Sequence, residues 1–290
     1  DAGHILGSAA VVLNASENGH STRLWFSGDI GRFKLPLLPD PVLPSNLDYL
    51  IMECTYGDTP HGDPEAAYRQ FREVVLRTVQ RNGKIIVPAF AVGRTQEIVY
   101  MLNRMLSDGE LPHLPVFVDS PLAINITEVF KKFPDYFDDE TQQFVRTGTN
   151  PALTFPELTY TRSTDESKAI NDIKGPVMVI SASGMCEAGR ILHHLKNNVK
   201  DPRNTIAIVG WQAPNTLGRR IQEKQPQIKI FNEMYPLRAE VAVISRLSAH
   251  AGQEGLLQYA LAAQRGGVKK VFLVHGEAEA ASTLEGLLAQ

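Results

Sequence analysis

The sequence is poor in cysteine. Its two cysteines, Cys54 and Cys186, lie far apart, and neither belongs to a CxxC pair. This spacing argues against thiolate metal sites and against a disulfide framework. We therefore expect a reducing, cytoplasmic setting.

Long apolar runs and an excess of basic charge are also missing. No apolar run approaches the ~18 residues that a membrane helix needs, and no signal-peptide pattern opens the chain. The net charge of −3 provides no global basic field of the kind that marks a general nucleic-acid binder. A local basic groove remains open, and no membrane partner is expected.

The residues that are present predict an α/β fold. Of 290 residues, 43% are hydrophobic and 21% are charged, which suits one large domain or two ordinary ones. Strand-like runs alternate with helical periodicity, which indicates βαβ units around a mainly parallel sheet. Asn18-Gly19 is a hairpin signal between the first two strands, and 134–174 is expected to be irregular with short helical pieces. The predicted strands are 9–13, 22–27, 48–53, 84–90, 116–119, 177–182, 205–209, 239–244 and 270–275. The predicted helices are 65–81, 94–106, 124–133, 188–198, 217–222, 253–265 and 277–288.

Four apolar strands lead into residues suited to metal binding or acid–base chemistry, namely Asp29, Glu53, His250 and His275. Ligands and catalytic groups gather outside the carboxyl ends of strands in α/β sheets. Imidazole and carboxylate groups suit an ion such as zinc. Taken singly, each residue also has a structural explanation: a turn or helix cap at Asp29, an arginine partner for Glu53, a helix cap at His250 and a packed strand end at His275. The remaining histidines downstream of residue 8 are assigned structural roles.

The opening stretch 1–8 places His4 among small residues, just before a predicted strand. Such a stretch is typical of a functional loop inside a domain. We expect that the chain begins within an active site and that part of this site lies upstream of residue 1.

An ordered set of motifs supports one family. The chain contains AGHILGSA, FSGDIGR, IMECTYGD, PAFAVGRTQE, DSPLA, SASGM, GWQAPNTLGRR, LSAHAGQ and LVHGE, in that order. This set resembles the metallo-β-lactamase fold nucleases of the β-CASP group, in particular their RNA-processing branch. The resemblance implies part of an αββα sandwich at 1–57 and 246–290, with an inserted α/β β-CASP domain at 58–245.

The resemblance also implies roles for the polar residues. His4 would bind one zinc ion, Asp29 would bridge two, and His275 would bind the second. Glu53 would orient His250, which would protonate the leaving oxygen of a cleaved phosphodiester. The implied cofactor is therefore a pair of zinc ions, and the implied partner is single-stranded RNA, with a homodimer possible.

Two departures from the family pattern stand out. No HxH occurs in the chain, so the family's HxHxDH motif is expected upstream, and this chain alone is expected to be inactive and to bind no pair of zinc ions tightly. Gly252 stands where relatives commonly have Asp, which would weaken a hydrogen bond to the site.

Candidate RNA contacts lie in the central region. The SASGM stretch offers hydroxyls and backbone N–H groups before a predicted helix, a pattern that binds phosphate but that is equally typical of an ordinary glycine turn. The candidates are Ser181, Ser183, Gly184, Arg94 and Arg219.

The sequence leaves three functions open. The first is zinc-dependent hydrolysis of RNA, and it is favoured because each motif keeps its His, Asp or Glu. The second is a non-catalytic RNA-binding or scaffold role, and the third is a DNA-processing relative. Glu53, GWQAP and His250 in the SAH of LSAHAGQ fit the RNA branch better than the DNA branch.

Overall fold

The structure is a computed structural model that describes residues 1–111, 113–147, 151–244 and 247–289. It contains two compact units. Unit 1 comprises Asp1–Pro64, Tyr136–Asp139 and Ser248–Gln290, and unit 2 comprises Glu65–Asp135 and Glu140–Leu247. The predicted domain boundary at 245–246 lies outside the described residues, and the boundary at 57–58 stays a prediction.

The strands are short and follow the predicted order closely. They are β1 (Val11–Glu17), β2 (His20–Phe26), β3 (Tyr49–Glu53), β4 (Ile85–Pro88), β5 (Val116–Val118), β6 (Leu158–Tyr160), β7 (Met178–Ser181), β8 (Thr205–Ile208), β9 (Gln227–Ile230), β10 (Glu233–Pro236), β11 (Glu240–Val243) and β12 (Lys270–Val274).

Helices occupy most of the stretches between them. They are α1 (Pro64–Gln80), α2 (Arg94–Ser107), α3 (Pro121–Lys132), α4 (Asp139–Thr147), α5 (Thr164–Ala169), α6 (Ile191–Asn198), α7 (Leu217–Gln222), α8 (Gln253–Arg265) and α9 (Ala278–Leu288). No helix in the described part of the chain is long and apolar enough to cross a membrane.

Unit 1 is built on a four-stranded sheet in the order β1-β2-β3-β12. The predicted hairpin is present: β1 and β2 are antiparallel, and Asn18 and Gly19 make the turn with φ of 49° and 81°, as a type I′ turn requires. Strands β2, β3 and β12 run parallel. Their carboxyl ends therefore meet at one edge of the sheet.

One face of this sheet is covered and the other is open. Side chains of β2 and β3 pack with residues of α8 and α9 in one apolar core, where the Trp25 indole donates to the Tyr259 hydroxyl at 2.8 Å. On the opposite face, the register places Val11, Phe26, Ile51 and Phe272 in one row across the four strands. Within that row Val11 is 51% exposed and Phe272 is 41% exposed.

Unit 2 contains a six-stranded sheet in the order β11-β8-β4-β7-β5-β6, in which all pairings are parallel. Every residue of the neighbouring strands β4, β7 and β8 is buried. Such continuous apolar strands are expected when helices cover both faces of a sheet. The predicted α/β class with a mainly parallel sheet is confirmed.

The structure differs from the predicted elements at several places. Strand β6 lies in the region predicted to be irregular, where three residues are too few to show a period. The β9–β10 hairpin was not predicted, because its turn residues Phe231 and Asn232 adopt positive φ without a glycine. Helix α6 begins at Ile191 rather than 188, since 182–190 form a loop.

Candidate metal centre and acid pair

Five of the residues singled out in the sequence meet at the carboxyl edge of the unit 1 sheet. Asp29 follows β2, Glu53 is the last residue of β3, and His275 follows β12. The loop with His4 and the segment with His250 complete the cluster.

Hydrogen bonds and close backbone packing position His4. The Ser8 hydroxyl accepts from the N–H groups of His4 and Ile5, at 3.1 and 3.3 Å. Gly31 donates to the Ala2 carbonyl at 2.6 Å. A Cβ on Gly31 would lie 2.0 Å from the Gly3 carbonyl oxygen, so only glycine allows this approach.

His275 is held just beyond its strand in a left-handed conformation, with φ of 53°. Its carbonyl accepts from the Cys54 N–H at 3.3 Å and from the Thr55 hydroxyl at 3.2 Å. A Cβ at the next residue, Gly276, would lie 2.6 Å from the Cys54 sulfur. The glycine therefore lets the two strand ends come together.

Asp29 lies between two histidines. Its Oδ2 is 3.9 Å from His4 Nε2, and its Oδ1 is 3.5 Å from His275 Nε2. Both separations are long for a hydrogen bond. They are close to the ~3.3 Å expected between two ligands that share a tetrahedral zinc with bonds of ~2 Å.

Glu53 and His250 form a direct pair. His250 Nδ1 is 2.9 Å from Glu53 Oε1, and the Glu53 side chain is only 1% exposed. The carboxylate also accepts from the N–H groups of Ile30, at 2.7 Å, and Thr55, at 3.1 Å. Because Nδ1 is used, the other imidazole nitrogen, Nε2, points away from Glu53.

The segment with His250 is fixed by pairing to the stretch after Asp29. Ala251 donates to the Ile30 carbonyl at 2.8 Å, and Arg32 donates to the Ala249 carbonyl at 2.9 Å. Ile30 also donates to Glu53. The same short stretch therefore fixes the positions of both Glu53 and His250.

The surroundings shift the pKa of each member of the pair. Burial opposes charge on both side chains, but the hydrogen bond and the opposite charge outweigh it. The pKa of Glu53 is lowered by His250 and by the N–H donors, and the pKa of His250 is raised by Glu53 and Asp29. The pair is therefore a carboxylate that favours a protonated imidazole.

The pKa of His4 moves in the opposite direction. It is lowered, first by burial and then by the nearby His250. A neutral imidazole is the form that binds metal ions.

The cluster can hold a metal ion. Possible ligand atoms of His4, Asp29 and His250 all lie within 4.8 Å of one another. The imidazole rings of His4 and His250 are 4.3 Å apart between centroids. His4 directs Nε2 toward the Asp29 carboxylate. Imidazole nitrogens beside a carboxylate form a donor set that suits zinc.

The structure therefore brings together all five residues, but it groups them differently from the family resemblance. By atom proximity, His250 joins His4 and Asp29, whereas the resemblance assigns His275 to the metal and His250 to proton transfer. The His275 side chain is 62% exposed. The roles themselves stay predictions.

Two further residues surround His250 and were not assigned to the site from the sequence. The rings of Tyr56 and His61 are 4.4 Å apart, and the Tyr56 ring is 6.3 Å from that of His250. His61 is 6% exposed, and burial lowers its pKa to about 4. A Cβ on Gly252 would lie 2.9 Å from the His61 ring. The unusual glycine at 252 was the available signal for this contact.

The candidate RNA-binding residues lie in unit 2, and their side chains have varied surroundings. Ser181 is buried and donates to the Asp119 carbonyl at 2.7 Å. The Ser183 hydroxyl accepts from the N–H groups of Glu187 and Ala188, at 3.0 and 3.4 Å. Gly184 lies against Phe90.

The two arginines named as candidates are both paired with acids. Arg94 is 6% exposed and bonded to Glu97. Arg219 is 40% exposed, and its Nε is 2.7 Å from Glu223. Of the two, Arg219 is the one with a solvent-exposed guanidinium.

Two family models match the chain. The Beta-Casp domain matches residues 95–221, and the Zn-dependent metallo-hydrolase RNA specificity domain matches residues 234–290.

Similar proteins match nearly the whole chain. Ribonuclease TTHA0252 of Thermus thermophilus is 40% identical over 99% of the chain and 64% of its own length. An RNase J-like protein of Methanocaldococcus jannaschii is 33% identical over 96% of the chain and 62% of its own length. Transcription termination factor FttA of the same organism is 32% identical over 96% of the chain and 44% of its own length. The chain thus spans less than two thirds of each of these relatives.

Proposed function

Because the chain belongs to the β-CASP group of metallo-β-lactamase fold proteins, we propose that the protein is a zinc-dependent hydrolase of RNA phosphodiester bonds. The observation that carries this proposal is the position of Asp29. Each of its two carboxylate oxygens faces a different histidine, and the Glu53–His250 pair lies beside them. The groups proposed to bind metal and the group proposed to donate a proton are therefore adjacent.

The metal part of the proposal concerns two zinc ions. His4 would hold one, His275 the other, and Asp29 would serve both, since its oxygens face opposite histidines. When bound, zinc supplies positive charge to a scissile phosphate and lowers the pKa of a bound water.

The proton-donating part of the proposal uses His250. A leaving 3′ oxygen needs a proton, and a protonated imidazole can donate it. Glu53 raises the pKa of His250 and fixes its ring through Nδ1, so Nε2 is the nitrogen that would donate. Glu53 acts through His250 and is a positioning residue.

The proximity of His250 to His4 and Asp29 gives it a second possible role, as a metal ligand. A carboxylate bonded to the far nitrogen of a histidine is also the usual support of a metal ligand. Metal analysis of His250→Ala separates the two roles. Full metal content with lost turnover supports proton transfer, whereas loss of one ion supports ligation.

The proposed substrate is single-stranded RNA. One matching family model is described as an RNA specificity domain, and two similar proteins are named as a ribonuclease and as RNase J-like. Unit 2 would contribute contacts through Ser183, Gly184 and Arg219. Ser181 and Arg94 would act by supporting that surface, since both are buried.

The proposed setting is the cytoplasm, and the proposed assembly includes a homodimer. Both cysteines are buried and unpaired, which is compatible with a reducing compartment. Cell fractionation tests the first statement, and light scattering of the purified protein tests the second.

The test of the proposed function uses the protein as its gene encodes it. Matched RNA and DNA oligonucleotides are incubated with the zinc-loaded protein and with the protein after chelation. We expect cleavage of RNA only, and only with metal. His275→Ala should reduce turnover at least ~100-fold, the range seen when a transition-state-stabilising group is removed. His20→Ala, in the exposed hairpin, is the matched control and should retain turnover.

Two results contradict the proposal. The first is unchanged turnover in His275→Ala, and the second is absence of cleavage by the zinc-loaded protein. RNA binding without cleavage would support the scaffold function instead, and preferential cleavage of DNA would support a DNA-processing enzyme.

A further inference from the structure

Two large aromatic side chains are exposed at the carboxyl edge of the unit 2 sheet. Phe90 follows β4 and is 42% exposed, and Trp211 follows β8 and is 53% exposed. Strands β4 and β8 are direct neighbours in the sheet. The carboxyl edge is where parallel α/β sheets bind their ligands, so exposed aromatic rings here suggest a binding surface.

The backbone beneath the two rings is held firmly. A Cβ on Gly184 would lie 2.9 Å from the Phe90 ring, and a Cβ on Gly210 would lie 3.8 Å from it. Gln212 is 2% exposed, and its amide donates to the carbonyls of Gly184 and Gly210, at 3.0 and 3.1 Å. The buried amide therefore ties the loop after β7 to the loop that presents Trp211.

Basic groups adjoin this surface. Gly218, in helix α7, donates to the Met185 carbonyl at 3.0 Å, next to the residue on which Phe90 packs. The following residues are Arg219 and Arg220. Arg219 uses Nε to bond Glu223, which leaves its terminal nitrogens for other acceptors. Aromatic rings beside guanidinium groups suit a polyanion that also has planar faces.

We propose that Phe90 and Trp211 form a stacking platform for the bases of single-stranded RNA. This proposal rests on the proposed function, because it names where the bases of that substrate bind. Every base has a planar face, so the contact accepts any sequence. The sugar–phosphate backbone would run beside helix α7, within reach of its arginines.

Fluorescence gives a direct readout of this contact. The chain has two tryptophans, and Trp25 is 7% exposed and bonded to Tyr259. A change in emission on RNA binding that is lost in Trp211→Phe therefore reports on Trp211. The probe is a single-stranded oligonucleotide added after chelation of the metal, and the comparison is an abasic oligonucleotide of the same length under the same conditions. We expect saturable quenching by the first and little by the second.

Substitutions test the same surface by affinity. Trp211→Ala and Phe90→Ala should each weaken oligonucleotide binding about 5- to 100-fold, as expected for loss of one stacked base. Trp211→Phe should restore most of the affinity without the fluorescence signal. Phe133→Ala is the control: this residue is 48% exposed and follows helix α3, which begins at the carboxyl edge and runs away from it for 12 residues.

The proposal is overturned if saturating oligonucleotide leaves Trp211 emission unchanged, or if Trp211→Ala binds as tightly as the wild type. Equal binding of the abasic oligonucleotide also overturns it, since the contact would then be to phosphate alone. Circular dichroism of each variant shows whether it folds, and the wild-type fluorescence titration needs no substitution. Binding without cleavage would reject the proposed hydrolase and leave the platform standing. A quench of Trp211 by apolar peptides but not by RNA would indicate a protein partner.

Discussion

Glu53 carries its charge where solvent hardly reaches it. Its carboxylate is 1% exposed and accepts from His250 and from two backbone N–H groups. An isolated buried carboxylate would be strongly unfavourable, so these donors are what keep it ionised. The consequence is that His250 and Glu53 act as a coupled pair.

Replacing Glu53 with Gln tests the coupling between Glu53 and His250. The substitution removes the charge that raises the pKa of His250 and should lower turnover of RNA about 100- to 10,000-fold, the range for loss of acid–base catalysis. The pH–rate limb that reports loss of the His250 proton should move to lower pH. A rate profile from pH 5 to 9 measures both. Glu17→Gln, in the exposed hairpin, should match the wild type, and an unshifted limb in Glu53→Gln would count against the pairing.

Because of the buried His61, we expect the stability of the folded protein to depend on pH. Burial lowers its pKa to about 4, whereas in the unfolded chain it is ~6.5. The unfolded state therefore binds more protons between these values, so stability falls as the pH falls through this window. Between pH 7 and pH 4.5 the loss should be about 2–3 kcal/mol.

Urea unfolding of the wild type and of His61→Gln at both pH values measures this effect. The variant should lose less stability on acidification, by the amount given above. His20→Gln, in the exposed hairpin, should behave as the wild type does. Parallel pH curves for wild type and His61→Gln would show that His61 is protonated equally in both states.

At the residue scale, chemistry was easier to predict than geometry. Strand-end positions were enough to gather Asp29, Glu53 and His275 at one edge, because neighbouring parallel strands share their carboxyl ends. His250 follows no strand of that sheet and is placed there by its bridge to Gly31. The position of His61 had the unexpected glycine at 252 as its available signal, since the contact depends on the absence of a side chain there. That is a contact between distant residues and leaves no local pattern.

At the scale of elements, Asp119 joins several parts of unit 2. It follows β5 and is fully buried, and its carboxylate accepts from Thr161, Ser167, Arg190 and His194 at 2.6–2.7 Å. Although burial raises its pKa, these donors lower it well below the usual range. One carboxylate thus connects β5, α5 and α6.

Asp119→Asn should destabilise unit 2 by about 3–5 kcal/mol at pH 7, as for a buried ion pair that loses one partner. Because the pKa of Asp119 is lowered, its contribution is present above its unfolded value of ~4 and is lost as the pH falls further. Urea unfolding at pH 7 and at pH 3 should therefore show a smaller difference from the wild type at the lower pH. Asp165→Asn, at a side chain 96% exposed, is the control, and a loss for Asp119→Asn no larger than for this control would contradict the role.

Most elements were predictable because the stretches with a regular hydrophobic period were long. Helices α1, α2 and α8 match the predicted ranges to within a residue or so. The DSPLA motif did not reveal its role, because the partners of Asp119 come from segments 42 to 75 residues away. Buried hydrogen-bond networks of this kind have no sequence period.

At the scale of the whole molecule, the proposed metal site connects distant parts of the chain. Its candidate ligands are at 4, 29, 250 and 275. An ion that binds only the folded state stabilises it in proportion to the logarithm of its concentration over its dissociation constant. Chelation should therefore lower the unfolding midpoint, by an amount equivalent to ~3–4 kcal/mol for zinc at 100 to 1,000 times that constant.

Calorimetry with and without chelator measures this shift, and readdition of zinc should reverse it. Asp29→Asn should show a much smaller shift, whereas His20→Ala should respond as the wild type does. A midpoint that is the same with and without chelator would show that no stabilising ion is bound.

The pairing of β12 with β3 also bears on how the chain folds during synthesis. Cys54 and Val274, which meet at the end of this pairing, are 220 residues apart in sequence, and most of that interval forms unit 2. A ribosome therefore releases every strand of the six-stranded sheet before it releases β12. Unit 1 must wait with an unpaired edge at β3 until unit 2 has emerged, and the candidate metal centre can be completed only after His275 has followed.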